Sequence, residues 1–559
     1  MNKRVLKRHW LRNLIAILLV LGIFFRFYNL ERKVYWYDET MTSLRISGYT
    51  QTELVQQIFD GSPISVEQLL GQYQYPNPTK NLTDTLNALA GNPEHSPLYY
   101  WMARFWLQIF GNSIVTIRAL SAVISLLAIP CVYWLCRELF NSSVTAWVGA
   151  AIISISPFHV LYGQEAREYS LWTVTILFSC AALLRAKRLN NWSSWVIYGL
   201  SVALGLYAHP FSGFVLLGHG IYILLTATRR WGKQLGAFLL SSIVGFLLFV
   251  PWMVIVIANF SKFLDNTASV TVSRSGFLPL FWGLNLSRIF LDFNQGTSPF
   301  SPLHYLAALL AIYALYHLYR HTPLETWLFI ITLIGVTGTA IIAPDLILGG
   351  RRSSITRYAI PCYLGIQIAV AYLISSKCLG VNCFRDRERG RGGEGEMGRW
   401  GEGERGRHGE GETRIKRDKQ ILGLSTTGNY QRWQYVAIVL IISGVLSCLV
   451  SSQIPVWWHK SYAKSRYNPQ IVRLVNQTEQ PLLISDEIPG RILSLCHWLK
   501  PDVQLQLVVE PNIPEIADGF KNVFLYRPSE TLKQGIEEKY NSKLEPAYKS
   551  WLWKLEKTG

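Results

Sequence analysis

No charged residue interrupts the stretch Leu235-Gly-Ala-Phe-Leu-Leu-Ser-Ser-Ile-Val-Gly-Phe-Leu-Leu-Phe-Val-Pro-Trp-Met-Val-Ile-Val-Ile-Ala258. A helix needs about 20 apolar residues to cross the hydrocarbon core of a bilayer, and this stretch reaches that length. Comparable apolar blocks recur at Leu14–Leu30, Ala119–Cys136 and Val144–Phe158. One such block would also suit a buried helix of a large soluble protein. Their repetition favours a chain that crosses the membrane many times.

The charged residues follow the same pattern of blocks. The 559 residues carry a formal net charge of +18, which in a soluble protein would suggest a nucleic-acid partner. Here the basic residues lie between apolar blocks, and Lys and Arg concentrate in the cytoplasmic loops of membrane proteins. We therefore assign the surplus to membrane topology and predict no nucleic-acid partner.

Several basic residues precede the first apolar block: Lys3, Arg4, Lys7, Arg8 and Arg12. They place the N-terminus in the cytoplasm. The block has no small-x-small cleavage motif at its end, so we expect a retained first span rather than a cleaved signal peptide.

The alternation of apolar blocks and basic turns predicts a mostly α-helical, polytopic chain with about eleven transmembrane helices. Residues 1–375 hold all but the last of these spans and include a long exterior loop at 31–113. Residues 433–452 form the last span. Residues 453–559 then form an exterior tail, in which helical stretches alternate with the short strand-like runs Pro481–Ser485, Val503–Val509 and Val523–Tyr526. That pattern predicts a small α/β domain.

Residues 376–432 form a linker in which Gly alternates with charges of both signs. Such a composition cannot bury a core, so the linker is predicted to be disordered and cytoplasmic, with no chemistry of its own. No pair of the eight cysteines has metal-ligand spacing, so neither a disulfide framework nor a zinc site is indicated.

Two adjacent carboxylates, Asp38 and Glu39, stand where the chain leaves the first span, within Tyr35-Trp-Tyr-Asp-Glu-Thr40. Acid–base chemistry needs a group that accepts a proton, and a carboxylate beside apolar rings can have its pKa raised towards that role. An ordinary solvated pair at a helix end is the alternative interpretation.

A histidine motif, Glu94-His-Ser-Pro-Leu-Tyr-Tyr100, begins an aromatic and apolar segment at Pro97–Phe110. This segment is too short to cross a bilayer and contains Arg104, so we expect a helix at the membrane interface, where Tyr and Trp are favoured. His95 is a binding candidate, although a lone His at a membrane surface is more often structural.

Two charged motifs complete the candidates. Gln164-Glu-Ala-Arg-Glu-Tyr169 lies at the predicted exterior mouth between two spans, where ionisable groups usually face a cavity or a partner. An internal Glu–Arg pair is the structural alternative. Arg351-Arg-Ser-Ser-Ile-Thr-Arg-Tyr358 is a cationic exterior patch whose guanidinium groups suit a phosphate, with lipid-headgroup anchoring as the alternative. All four motifs fall on one predicted face, which indicates a shared site.

These motifs are similar to those of the dolichyl-phosphate-mannose protein mannosyltransferase-like group, glycosyltransferase family 39, which has the GT-C membrane architecture. The resemblance covers about residues 1–375, and the linker and tail fall outside it. It rests on the segments Trp36–Thr40, His95–Tyr100, Arg118–Ala122, Arg137–Phe140, Ser156–Tyr169, Tyr207–His209 and Arg357–Pro361. One departure is the Ser96 of His95-Ser-Pro97, where the family usually has His-Pro-Pro.

The resemblance implies a polyprenyl-phosphate sugar donor and catalysis on the exterior face. It implies Asp38 as the general base, with Glu39 assisting it or helping to hold a divalent ion. No other cofactor is expected. The expected substrate-binding residues are His95, Tyr99, Gln164, Glu165, Arg167, Tyr169, His209, Arg357 and Tyr358.

The hypothesis is a multi-pass glycosyltransferase of the plasma (inner) membrane, with its C-terminal domain exterior and a lipid, polysaccharide or protein as acceptor. A lipid-linked saccharide flippase or transporter is the alternative from another class. A transporter would be expected to show internal repeats and broken or charged helices near the middle of the membrane. A catalytically silent scaffold, whose tail binds partners, is a third hypothesis.

Overall fold

The computed structural model describes residues 3–226, 231–271, 277–295, 302–380, 426–460 and 464–556. Its α-helices from the first span to the tenth predicted span are α1 Lys3–Phe27, α2 Tyr37–Ser47, α3 Gln51–Ile58, α4 Val66–Tyr73, α5 Leu82–Ala90, α6 Leu98–Phe110, α7 Ile114–Leu126, α8 Ala128–Phe140, α9 Ser143–Ser154, α10 Pro157–Gly163, α11 Tyr169–Leu189, α12 Trp192–Ala208, α13 Ser212–Leu225, α14 Trp231–Ala258, α15 Phe260–Thr267, α16 Leu278–Ser287, α17 Pro302–His321, α18 Leu324–Ile347 and α19 Ile360–Leu379.

The last span and the tail contain the remaining elements. The helices are α20 Thr426–Gln453, α21 Asn468–Asn476, α22 Pro489–Cys496 and α23 Glu530–Tyr540. The strands, one of which comes from the first loop, are β1 Asp60–Ser65, β2 Pro481–Ser485, β3 Gln504–Val508, β4 Asn522–Tyr526, β5 Leu544–Tyr548 and β6 Leu552–Leu555. Most of the predicted linker lies outside the described residues.

Seven spans in the described part of the chain are long and apolar enough to cross a membrane, and α9 with α10 would form an eighth. This pair is bent by 57° at the break before Pro157, where the missing proline N–H interrupts the helical hydrogen bonds. The helices α12, α13 and α17 lie where the sequence predicts the remaining three of its eleven spans. They are shorter or less apolar than the seven helices above. The polytopic, mostly helical fold is therefore confirmed.

A six-stranded sheet in the order β1-β3-β2-β4-β6-β5 forms the centre of the tail. Strand β2 pairs in parallel with β3 and β4, and these three strands lie at the positions that the sequence predicts. Strand β1, however, comes from the first loop and pairs antiparallel with β3. The tail is therefore not separate from that loop, contrary to the division expected from the sequence.

The first loop and the tail also share an apolar core, which holds α2 against the sheet. Met41 and Leu44 of α2 are buried in one cluster with Leu483 of β2 and Leu495 of α22. The approach is close at Gly490, because a Cβ there would lie 2.6 Å from the Tyr37 ring. Helix α2, which carries the acidic pair, is thus fixed by residues from both ends of the chain.

Candidate active site

Asp38 lies in the first turn of α2, between two cations from distant parts of the chain. The Lys464 ammonium donates to Asp38 Oδ1 at 2.5 Å, and Arg357 Nη2 lies 3.2 Å from Oδ2. Oδ2 accepts no hydrogen bond from the described residues. The side chains of Lys464 and Arg357 are 33% and 18% exposed and that of Asp38 is 9% exposed, so the pocket opens to solvent on the side of the two cations while the carboxylate itself is buried.

Glu39, the neighbour of Asp38, points into a closed environment. Arg118 donates to both of its oxygens, with Nε at 2.8 Å from Oε1 and Nη2 at 2.7 Å from Oε2. The backbone N–H of Ala166 donates to Oε1 at 2.9 Å, and Lys460 Nζ lies 3.7 Å from Oε2. Glu39 and Arg118 are fully buried, so Glu39 holds the first loop to the helical bundle.

The segment Gln164–Tyr169 contributes residues to the surroundings of both carboxylates, some near Asp38 and others near Glu39. Arg167 donates to the backbone carbonyl of Asp38 at 3.2 Å and to Glu168 Oε1 at 3.0 Å. Glu168 also pairs with His95 Nδ1 at 3.2 Å, so the histidine motif joins the site through this carboxylate. The structure therefore brings Asp38, His95, Arg167, Glu168 and Arg357 together, as the shared predicted face implies.

Glu165 belongs to the Glu39 side of the site. It makes a short hydrogen bond with His459 Nε2, and Lys460 Nζ lies 3.8 Å from its Oε1. Lys460 also donates to the Val34 carbonyl at 2.6 Å. Glu165 is thus a fully buried partner of the tail rather than a group facing the open pocket.

Three further predicted residues support the pocket without facing the Asp38 carboxylate. Gln164 donates to the carbonyls of Phe25 and Tyr28, at 2.7 and 2.9 Å. The hydroxyl of the buried Tyr99 bonds Ser121 at 2.7 Å. His209 stacks on Trp172 with ring centroids 4.1 Å apart, and its Nδ1 accepts from a backbone N–H.

Two arginines of the cationic patch Arg351–Tyr358 have different partners. Arg352 pairs with the buried Asp345 at 3.3 Å, whereas Arg357 turns towards Asp38. The Arg357 guanidinium carbon lies 5.4 Å from the centroid of the Tyr169 ring and 5.8 Å from that of the Tyr358 ring, within the range of cation–π contacts. Cation–π contacts of this kind hold a guanidinium while its N–H donors stay available.

The electrostatics correct one expectation. Burial by itself would raise the pKa of Asp38, as the sequence suggested. The nearby Lys464, Arg357 and Arg167 outweigh burial and hold the pKa of this carboxyl well below its usual value of 3.8. Burial also lowers the pKa of His95, so its imidazole is neutral at pH 7. Asp38 is therefore a carboxylate throughout the physiological range.

The acidic pair does not fit a divalent ion. Both Glu39 oxygens are occupied by Arg118, and the nearest charges to Asp38 are cations that would repel a metal. Nowhere in the described ranges do three His, Cys, Asp or Glu side chains converge as a metal-binding group. The suggestion that Asp38 and Glu39 together hold a metal is not supported by these side chains.

Sequence reasoning missed the contribution of the stretch that follows α20. His459, Lys460 and Lys464 come from the tail, which lay outside the family resemblance, yet all three reach the acidic pair or Glu165. The one available signal was the dense group Trp457-Trp-His-Lys460 directly after an apolar span, which is unusual for an ordinary linker.

Comparison with known proteins places these residues in context. Residues 94–255 match the model of the family described as dolichyl-phosphate-mannose-protein mannosyltransferase, which confirms the resemblance seen in the motifs. An undecaprenyl phosphate-alpha-4-amino-4-deoxy-L-arabinose arabinosyl transferase of Pseudomonas paraeruginosa is 24% identical over 166 residues. That alignment covers 29% of this chain and 30% of the relative, so the match spans less than a third of the relative's length.

Solved structures share the fold over nearly the whole chain. The crystal structure of ArnT from Cupriavidus metallidurans bound to undecaprenyl phosphate has a TM-score of 0.53 at 14% identity, and the alignment covers 98% of each chain. The apo structure of the same protein gives 0.52 at 13% identity. The GT-C membrane fold with a small C-terminal sheet domain is therefore confirmed for this chain.

Proposed function

We propose that this chain is a membrane glycosyltransferase, which moves a sugar from a polyprenyl-phosphate donor to a lipid, polysaccharide or protein acceptor. The observation that carries the proposal is the pocket around Asp38, a carboxylate that lies between two partly exposed cations and has one oxygen that accepts no hydrogen bond from the described residues. A carboxylate can accept the acceptor's proton, and cations beside it can bind the phosphate of the donor.

Each residue of the site has a separate role in the proposed reaction. Asp38 is the general base, and its lowered pKa keeps it in the proton-accepting form. Arg357 presents its fork of N–H donors to the donor phosphate, and the cation–π contacts with Tyr169 and Tyr358 hold its guanidinium in place. His95, joined to Glu168, lies on the other side of Arg167, where it can bind the acceptor. Glu39 positions α2 and takes no part in a metal site.

Similarity supports the class of donor. The relative from Pseudomonas paraeruginosa is named for a sugar carried on undecaprenyl phosphate, and the Cupriavidus metallidurans structure holds undecaprenyl phosphate itself. We propose the same class of carrier here. The identity of the sugar is left open by this proposal, because the matched segment excludes Asp38 and Arg357.

An apolar groove supports a donor with a long hydrocarbon chain. The groove has a volume of about 260 Å³ and is lined by residues of α1, α9, α19 and α20, with Leu14, Ile152 and Ile441 among them. Its lining includes Pro157, the first residue of α10, and α10 leads directly to Gln164 and Glu165. A polyprenyl chain in this groove would extend from the membrane towards the proposed phosphate site.

The proposed location is the plasma (inner) membrane, with the N-terminus and the linker in the cytoplasm and the Asp38 pocket and tail on the exterior side. The basic turn around Arg188, which pairs with Glu138, would then face the cytoplasm. Protease treatment of right-side-out and inverted vesicles tests this orientation. Cleavage of the linker in right-side-out vesicles would contradict it.

The decisive experiment is incubation of membranes containing the protein with a panel of radiolabelled polyprenyl-phosphate sugars. We expect carrier-dependent transfer of one sugar to an endogenous acceptor, and no transfer by Asp38→Asn in matched membranes. Equal labelling by the variant would contradict the proposal. Movement of the intact lipid-linked sugar across the bilayer without transfer would favour the transporter instead.

A further inference from the structure

The tail places a lysine at the mouth of the Asp38 pocket and fixes the backbone on both sides of it. Before Lys464, His459 and Lys460 are buried against Glu165 and Glu39. After it, Ser465 Oγ accepts a hydrogen bond from the Tyr37 backbone N–H at 3.2 Å. Among these four residues of the tail, Lys464 alone has a partly exposed side chain, with its ammonium on Asp38 Oδ1.

The charges in this pocket do not cancel. Asp38 contributes one negative charge, and Lys464 and Arg357 contribute two positive charges. Arg167 does not enter this sum, because its charge is matched by Glu168 at 3.0 Å. Likewise, Arg118 and Lys460 are matched by Glu39 and Glu165. The pocket therefore carries one uncompensated positive charge.

That surplus equals the single negative charge of a phosphodiester. During the reaction the acceptor's nucleophilic atom forms a bond to the anomeric carbon of the sugar, its proton moves to Asp38, and the bond between that carbon and the phosphate oxygen breaks. The electron pair of that bond stays on the phosphate, which becomes a dianionic monoester, and Asp38 becomes neutral. Before transfer, Lys464 and Arg357 face the Asp38 carboxylate and the monoanionic phosphodiester. After transfer, they face a neutral Asp38 and the dianionic phosphate monoester.

We propose that Lys464 is a catalytic residue of the tail, whose ammonium leaves Asp38 during transfer and stabilises the second charge that develops on the departing polyprenyl phosphate. The inference rests on the proposed function and assigns the tail a direct part in it. Arg357, held between tyrosine rings, is suited to binding the donor from the start. Lys464 has a flexible stem and an exposed side, so it can follow the charge from Asp38 to the phosphate.

Equilibrium binding to the purified, full-length protein separates this role from a structural one. The probes are undecaprenyl monophosphate and its methyl ester, which is a phosphodiester, both measured at pH 8. The monoester is then a dianion, because the second pKa of a phosphate is about 6, and the methyl ester stays a monoanion. The probes bind without proton transfer, so the measurement is made on Asp38→Asn, whose side chain at this position is neutral as Asp38 is after transfer. We expect this variant to prefer the monoester by about tenfold, since a second charge-assisted contact is of that size.

In the same Asp38→Asn background, Lys464→Ala should lose this preference and bind the two probes alike, while Lys464→Arg should keep most of it. Lys521→Ala, which removes an exposed lysine of the same tail, is the matched control in that background and should leave the preference unchanged. With an active donor, Lys464→Ala should lower kcat by about 100-fold and change the donor KM much less, because the charge develops in the transition state.

The outcomes separate the inference from the proposed function. An unchanged preference in Lys464→Ala, or the same loss in Lys521→Ala, would overturn the role of Lys464 while leaving the phosphate site intact. Failure of Asp38→Asn to bind either probe would overturn the phosphate site, and with it both proposals. Loss of preference in Lys464→Ala alone would establish the tail lysine as the second phosphate cation.

Discussion

Two carboxylates that are neighbours in the sequence occupy pockets of opposite character. Glu39 is fully buried, and both of its oxygens are paired with Arg118, the Ala166 N–H and Lys460. Asp38 is also buried, but it keeps an oxygen without a hydrogen bond and faces two cations that are themselves partly exposed. The difference shows that a saturated carboxylate stabilises the fold, whereas an incompletely paired one can exchange partners during a reaction.

Helix geometry explains how Asp38 and Glu39, which lie in the same turn of α2, face different surroundings. Adjacent residues on a helix point about 100° apart, so Asp38 and Glu39 cannot face the same way. Helix α2 begins at Tyr37, and the Glu39 side chain turns back towards the Trp36 N–H at 3.4 Å. This contact directs Glu39 into the bundle and leaves Asp38 at the mouth.

The largest effect is expected from Asp38→Asn. The change removes the proton acceptor and keeps the shape of the side chain, so transfer should fall by roughly 10²–10⁴-fold. Thermal stability in detergent should fall moderately, because the amide no longer balances the charges of Lys464 and Arg357, so the transfer rates are compared per amount of folded protein. Wild-type rates in the purified variant would rule out Asp38 as the base. Unfolding of the variant would instead place Asp38 with Glu39 as a structural group.

Glu39→Gln should show the reverse pattern. It leaves the buried Arg118 guanidinium without its counter-charge, and breaking a buried ion pair costs about 3–5 kcal/mol. We expect a marked fall in the unfolding temperature and in the yield of folded protein. Any protein that does fold should keep most of its transfer rate. A stable but inactive variant would mean that Glu39 takes part in the chemistry.

Arg357→Lys tests whether the open pocket uses the geometry of the guanidinium. The charge is kept, but Lys cannot offer two parallel N–H donors to a phosphate. The donor KM should rise by about tenfold, with little change in stability. If Arg357→Lys and Arg357→Ala prove equally impaired, charge alone contributes nothing at this position. Wild-type kinetics in Arg357→Lys would show that the fork is not used.

The dependence of kcat/KM on pH distinguishes two views of Asp38. A raised pKa, as the sequence suggested, would make activity fall as the pH drops through 6. A lowered pKa predicts that the base form persists, so activity is lost only when the pH falls below the usual value of 3.8. We expect less than about a twofold change between pH 8 and pH 6. An acid limb near pH 6 that disappears in Asp38→Asn would contradict this.

The sequence predicted the fold well, because apolar length and basic turns report membrane spans directly. It also predicted β2, β3 and β4, whose short apolar runs are bounded by turn residues. It could not predict β1, whose Asp60–Ser65 stretch is polar and becomes a strand only by pairing with β3.

At the site, sequence patterns located the motifs but not their partners. Asp38 and Glu39 look alike in the sequence, and only the positions of Arg118 and Lys464, which lie 79 and 426 residues away along the chain, make them different. The pKa of Asp38 was expected in the wrong direction for the same reason. Nearby apolar rings are visible in the sequence, whereas cations brought from distant segments are not.

The smallest effect is expected from Arg352→Ala, which compares the two arginines of one cationic patch. Arg352 pairs with the buried Asp345 and does not point to Asp38. Asp345 would still accept hydrogen bonds from the Ser353 backbone and hydroxyl, at 2.7 and 2.8 Å, so the loss of stability should be only about 1 kcal/mol. The donor KM should stay within about twofold of wild type, because the phosphate site keeps Arg357.

Thermal denaturation and donor titration of Arg352→Ala and Arg357→Ala, measured side by side, check this contrast. Lipid-headgroup anchoring predicts that both variants lose stability and keep the donor KM. The open pocket predicts a small loss of stability for Arg352→Ala and a raised donor KM for Arg357→Ala alone. If the two variants behave alike in both measurements, the Arg352–Asp345 and Arg357–Asp38 ion pairs do not differ in function, and the proposed contrast between a structural pair and one that exchanges partners is wrong.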